Sequence, residues 1–166
     1  RRSSDLNSTF QWNDKNFNAN YGGIPKNVWI HFKPKVYQTL PLFSNLGTTG
    51  VYTYAKNIDV KKRTLDLFVE AEVINESGAP NGGTFLVEVR DATGNIVQTF
   101  SQPYNLSIGE KKILIANSEL TDVNFWSWGY GYLYSITTKL IHADNTVDIV
   151  ETKTGFRKTA FKQGMV

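Results

Sequence analysis

Apolar and polar residues alternate along much of this chain with the period of two that marks a strand buried on one face. From position 65 to 73, Leu65, Leu67, Val69, Ala71 and Val73 share one face, while Asp66, Glu70 and Glu72 share the other, with Phe68 as the exception. Phe85, Val87 and Val89 alternate in the same way with Leu86, Glu88 and Arg90. Five further strands are predicted over residues 51–58, 96–100, 112–116, 132–141 and 147–154. Between them lie turn signals: the Asn-, Gly- and Pro-rich run 75–83, Asp91-Ala92-Thr93-Gly94-Asn95, Ser107-Ile108-Gly109-Glu110, and the run 143–146. No helical period of ten or more residues separates the strands, so a parallel α/β fold is not expected. The pattern predicts an all-β chain: an immunoglobulin-like antiparallel β-sandwich of about seven strands spanning 47–162, with an N-terminal extension.

Residues 1–46 have a different texture. The stretch 16–21 is rich in Asn and aromatics, Val28-Trp29-Ile30-His31-Phe32 reads as a strand ending at Pro34, and Leu40-Pro41-Leu42 is extended by its proline. The segment is too short to be a domain. It is expected to be the last strand or two of a preceding domain plus a linker, able to pack on the sandwich or self-associate through its unpaired edge. The N-terminus lacks both a starting Met and an apolar leader. The chain therefore reads as a piece of a longer protein, with any targeting signal elsewhere.

Composition adds exclusions. At 166 residues with 40% hydrophobic and 20% charged residues, the chain is globular rather than disordered. The net charge of +3 is scattered apart from Lys61-Lys62-Arg63 and Lys111-Lys112, both beside turn signals and read as solvated loop charge. No basic face interleaved with aromatics points to nucleic acid. No apolar run approaches the roughly 20 residues of a membrane-spanning helix. The absence of cysteine rules out disulfides and thiolate chemistry.

Candidate chemistry is sparse. Glu70 and Glu72 lie on one strand face, roughly 6–7 Å apart, a spacing that imitates a glycosidase carboxylate pair. They are read instead as a solvent-facing flank of the sheet. His31 and His142 have no partners at metal-ligand spacing, and no cofactor is implied. The strongest local feature is aromatic, Phe125-Trp126-Ser127-Trp128-Gly129-Tyr130-Gly131-Tyr132-Leu133-Tyr134. Trp126, Trp128, Tyr130 and Tyr132 would serve either to anchor a loop into the core and a neighbouring domain, or as a platform on which sugar rings stack.

Trp126-Ser127, Leu133-Tyr134, Asp148 and Gly155-Phe156-Arg157 occur in an order and spacing that resemble the immunoglobulin-like domain of family 2 glycoside hydrolases. Tyr21-Gly22-Gly23-Ile24 through Val28-Trp29-Ile30 resembles the closing strand of that family's sugar-binding jelly roll. Trp128 and Gly131 depart from the family's prolines. Asn27 stands where the family commonly has an Asp that reaches the sugar, so it would keep a hydrogen bond but supply no charge. The resemblance implies that 1–46 is a jelly-roll remnant and linker, 47–162 the sandwich, and 163–166 the start of a link to a catalytic barrel. It implies a non-catalytic spacer in a retaining, β-galactosidase-like exo-glycosidase, whose acid and nucleophile glutamates lie in the barrel. Its partners would be the jelly roll and barrel of the same polypeptide, with carbohydrate as a further ligand. A periplasmic or extracellular site would suit such an enzyme. The alternative is a carbohydrate-binding or adhesion-type sandwich.

Overall fold

The computed structural model describes residues 27–143 and 145–159. The chain divides into two compact units, Arg1–Phe32 and Lys33–Val166. Of the first unit the described residues are 27–32, and they form no strand. The strand expected over 28–32 is thus corrected: its residue types suit a sheet, but a strand exists only by pairing, and none of the described residues pairs with it. The expectations for 16–21, for 21–26 and for 163–166 lie outside the described residues.

The second unit is a two-layer antiparallel sandwich. Its elements are β1 (Val36–Gln38), the short helix α1 (Phe43–Leu46), β2 (Val51–Asp59), β3 (Thr64–Asn75), β4 (Asn81–Arg90), β5 (Ile96–Leu106), β6 (Lys111–Leu120), β7 (Tyr134–His142) and β8 (Asn145–Thr154). One sheet is built on β3. Strand β6 pairs with β3 from Leu65 to Ile74 and fills one edge, so β1 and β2 share the other. The second sheet runs β5-β4-β7-β8.

The alternation read from the sequence becomes the core. Leu65, Leu67, Val69, Ala71 and Val73 of β3 are almost completely buried against Phe85, Val87 and Val89 of β4 and Ile136 and Leu140 of β7. Each of the Leu, Ile, Val and Phe side chains among them contributes roughly 1.5–3 kcal/mol through removal from water, and the Ala71 methyl less. The register that puts these residues inside also puts Phe68, Glu70 and Glu72 outside, because a slip of one residue would exchange the faces.

Three elements differ from expectation. Strand β5 continues six residues past the predicted end at 100, through Pro103. It pairs only with β4, and an edge strand tolerates a residue with no N–H to donate. Strand β4 begins at Asn81, inside the expected loop. Its Gly83 lies so close to Ile141 O that a Cβ could not be accommodated.

Strand β1 was expected as linker, yet it pairs with β3 and is tied across the sandwich by a buried polar cluster. Gln38 N donates to Asp148 Oδ2 at 2.9 Å, Thr138 Oγ1 donates to Gln38 Oε1, and Lys33 Nζ donates to Asp148 Oδ1 at 2.8 Å. Asp148 points inward and both its carboxylate oxygens have partners, as a buried polar group requires.

The strands set two poles. The chain joins the sandwich beside the C-terminal end of β3, where Glu76 N donates to Lys35 O. It leaves after β8 at the opposite end, beside the start of β3, where Lys158 Nζ donates to Ile58 O at 2.8 Å.

Candidate functional site: the aromatic turn at the exit pole

Residues 121–133 connect β6 to β7 at the exit pole, and local chemistry explains their course. Arg63, in the turn between β2 and β3, donates from its guanidinium to Val123 O, Asp122 O and Asn124 Oδ1. Val123 N returns a bond to Arg63 O at 2.9 Å and its side chain is buried. Arg63 was read as solvated loop charge, whereas the structure makes it the clamp that starts this connection.

Tyr134 then fixes the other end. It opens β7, its ring is buried, and its hydroxyl accepts from Asn124 N at 2.9 Å, ten residues upstream. A tyrosine at this corner bonded back to the backbone is a recurring feature of immunoglobulin-like sandwiches. Burial pushes the Tyr134 hydroxyl above its ordinary pKa, so it stays protonated throughout the neutral range.

Between these anchors Ser127 and Tyr130 exchange two backbone bonds of 3.0 and 2.9 Å, closing a tight turn with Trp128 and Gly129 at its tip. Gly129 takes φ +79°, a conformation that a side chain would strain. Trp128 is 96% exposed, and Tyr130 is about half exposed. Behind the tip, rings run inward in series: Tyr130 to Tyr132 at 5.9 Å, Tyr132 to Tyr134 at 5.1 Å, Tyr134 to Phe156 at 5.4 Å. These separations suit favourable ring pairs. The sequence left two readings for this aromatic run, and the structure divides it: Tyr132, Tyr134 and Phe156 face the core, while Trp128 faces away from it.

Gly155-Phe156-Arg157 packs directly on the turn. Trp126 N donates to Phe156 O at 2.7 Å, and the Arg157 guanidinium lies 5.5 Å from the Trp126 ring. A Cβ on Gly155 would stand 3.0 Å from Tyr132 O and 3.2 Å from Trp126 Cβ, so a glycine permits the approach. The residues singled out at 126–132 and 155–157 therefore form one assembly at the pole where the chain leaves.

The other candidates lie elsewhere. Asn27 is exposed in the irregular stretch of the first unit, as is His31. His142 ends β7, with Nδ1 at 2.5 Å from Gly82 O. Among the described residues, no three His, Asp or Glu side chains gather as metal ligands would. Glu70 and Glu72 differ from the expected solvent-facing flank. Glu72 is buried because the 39–50 excursion between β1 and β2 folds over it: Thr39 Oγ1 and Thr49 N both donate to its Oε1. Glu70 is half-buried and accepts from Tyr54 Oη at 2.8 Å. Together with Pro41, Phe43, Thr48, Thr49, Gly50, Tyr52 and Ile113, the two carboxylates line a depression of about 390 Å³ on the outer face of the β3 sheet. The signal that would have found it was present in the sequence, since Tyr52, Tyr54, Phe68, Ile113 and Ile115 all fall on that supposedly polar face.

The family model for glycosyl hydrolases family 2 matches residues 50–157. A β-glucuronidase from Formosa agariphila is 28% identical over 152 residues, covering 92% of this chain and 15% of that protein. A β-galactosidase from Bacteroides ovatus is 24% identical over 135 residues, covering 81% of this chain and again 15% of the relative. Among solved structures, a β-glucuronidase of glycoside hydrolase family 2 superposes with a TM-score of 0.81 at 28% identity, over 89% of this chain and 15% of its own. The chain thus spans about 15% of the length of the relatives it matches.

Proposed function

The chain belongs to the glycosyl hydrolases of family 2, and on that premise we propose that it is a non-catalytic, immunoglobulin-like spacer that holds a sugar-binding domain and a catalytic barrel apart in a longer retaining exo-glycosidase. The observation that carries this reading is the polarity of the sandwich. The chain joins it at one end, beside Lys35, and leaves at the other, beside Lys158. Strands of about ten residues at roughly 3.3 Å per residue set those points about 30 Å apart. Crossing strands tied by a continuous core make that distance stiff, which is what a spacer requires.

The aromatic turn fits the same role. Trp128 and Arg157 stand at the exit pole, next to the first residues that would meet a following domain. An indole and a guanidinium are the side chains most often found as anchors in buried interfaces. In the longer protein the substrate would be a β-glycoside, with β-glucuronides and β-galactosides suggested by the names of the relatives. Asn27 would contribute a hydrogen bond to a sugar hydroxyl from the N-terminal side.

The purified 166-residue chain should not hydrolyse nitrophenyl β-D-glucuronide or nitrophenyl β-D-galactoside above the buffer rate. Turnover by the chain that is abolished by Glu70→Gln would overturn the spacer reading. The exposure of Trp128 favours one second reading, a carbohydrate-binding module. Calorimetric titration with β-linked oligosaccharides separates the two: the spacer gives no heat of binding, and the module gives saturable binding lost in Trp128→Ala.

A further inference from the structure

The two outer faces of the sandwich have unlike chemistry. On the β4–β7 sheet, outward side chains satisfy one another: Lys139 Nζ meets Glu88 Oε1 at 2.6 Å, Arg90 meets Glu88 Oε2 at 3.2 Å, and Ser135 Oγ donates to Glu151. Such a face is at ease in water. On the β3 sheet, the outward residues near the joining pole include Tyr52, Ile113 and Ile115, each between 46% and 60% exposed. Phe43 of α1 stands beside them at 74% exposed. Contiguous apolar exposure of this kind marks a surface that another surface covers.

The depression among these residues defines what would cover it. Its walls are largely apolar, from Pro41, Phe43, Tyr52 and Ile113, and its polar side chains are Thr48, Thr49 and the two carboxylates, which alone carry charge. Glu72 is already engaged by Thr39, Thr49 and, at 3.7 Å, by Lys111. Glu70 accepts a single hydrogen bond among the described residues, from Tyr54, and retains its second oxygen for another donor. An anion would be repelled here. A purely aliphatic side chain would seal Glu70 from water without replacing its hydration, at a cost in free energy. The occupant that satisfies both parts has an apolar stem and a cationic head. Arginine suits it better than lysine, because its planar fork matches a carboxylate and its face stacks on a ring such as Tyr52.

We propose that this depression is a socket for an arginine side chain presented by another domain of the same polypeptide. The proposal rests on the spacer reading for the existence of that domain. One side chain in a half-open socket is too small a contact to hold a free partner against the cost of association. It suffices to fix the orientation of a domain already tethered at high effective concentration. Relatives in which this chain makes up 15% of the length have ample further chain to supply it. The socket would then lock rotation of the neighbour about its linker.

The test uses a reporter cysteine, since the chain has none of its own. Ile113→Cys is introduced into the 166-residue chain and into the longer polypeptide that contains it, and maleimide labelling at position 113 is followed by mass spectrometry. Labelling should be at least about tenfold slower in the longer polypeptide, and Glu70→Gln should restore most of that difference. Tyr52→Ala, which removes a wall and leaves the carboxylate, should do the same, so that a folding defect in one variant leaves the other informative. Equal labelling rates in the two proteins would overturn the proposal. So would slow labelling indifferent to both variants, or slowing in the 166-residue chain that grows with its concentration, which would mean a second copy covers the face. Hydrolysis by the 166-residue chain would instead remove the spacer reading and leave the labelling result standing, so the two failures are distinguishable.

Discussion

Gly83 shows how much of this fold depends on single positions. It lies in β4 where the strand passes between β5 and β7, and its neighbours leave no room for a methyl group. A Cβ there would run into the carbonyl oxygen of Ile141, which is backbone and cannot swing aside, and would sit 3.2 Å from Tyr104 Oη. Gly83→Ala should therefore force β4 and β7 apart locally, with a loss of about 2–4 kcal/mol in stability measured by urea unfolding. Gly129→Ala, whose added carbon meets nothing within 4 Å, should cost only the strain of its positive φ, about 1 kcal/mol. Equal losses at the two positions would contradict the packing described for Gly83. Some residues were legible from the sequence at this scale and some were not. The inward Leu and Val residues of β3 and β4 declare themselves by alternation. Gln38 does not, because its buried amide is made tolerable by Thr138 and Asp148, 100 and 110 positions away.

Among the elements, the same limit explains β1. Three residues following a proline, ending in a buried glutamine, carry no period to detect, and the strand exists because β3 offers an edge beyond the start of β2. Strand β5 runs past residue 100, where its predicted span ends, and includes Pro103, which its edge position permits. The polar face of the β4–β7 sheet offers a prediction at this scale. The hydrogen bond from Lys139, with Arg90 adding to it, holds the Glu88 carboxyl below its ordinary pKa. Because the folded-state pKa is depressed, this pair contributes stability above the unfolded value of about 4.5 and loses it as pH falls through the lower folded value. Glu88→Gln should accordingly flatten the decline in melting temperature between pH 5 and pH 3 while changing it little from pH 5 to 7. A variant that declines as steeply as the parent below pH 4.5 would show that the pair contributes nothing in the folded state.

At the scale of the whole molecule, the sequence pattern sufficed for the architecture, since strands of this length with turns between them have few ways to bury one face each. It did not suffice for the poles or the outer faces. Where the chain joins and leaves depends on β1 and on the Lys158–Ile58 contact, both products of long-range packing. The chemistry of the β3 outer face depends on the 39–50 excursion burying Glu72, which no local pattern announces. Those two features give a generic sandwich a defined direction.

The direction can be measured in a single experiment. Lys35→Cys and Thr159→Cys, introduced together into a chain that has no other cysteine, accept a pair of spin labels at the two poles. Pulsed dipolar spectroscopy should then give one narrow distance distribution centred at about 30 Å or more, the length of strands of about ten residues. A distribution centred below about 20 Å, or one too broad to define a length, would mean that the sandwich does not hold its ends apart.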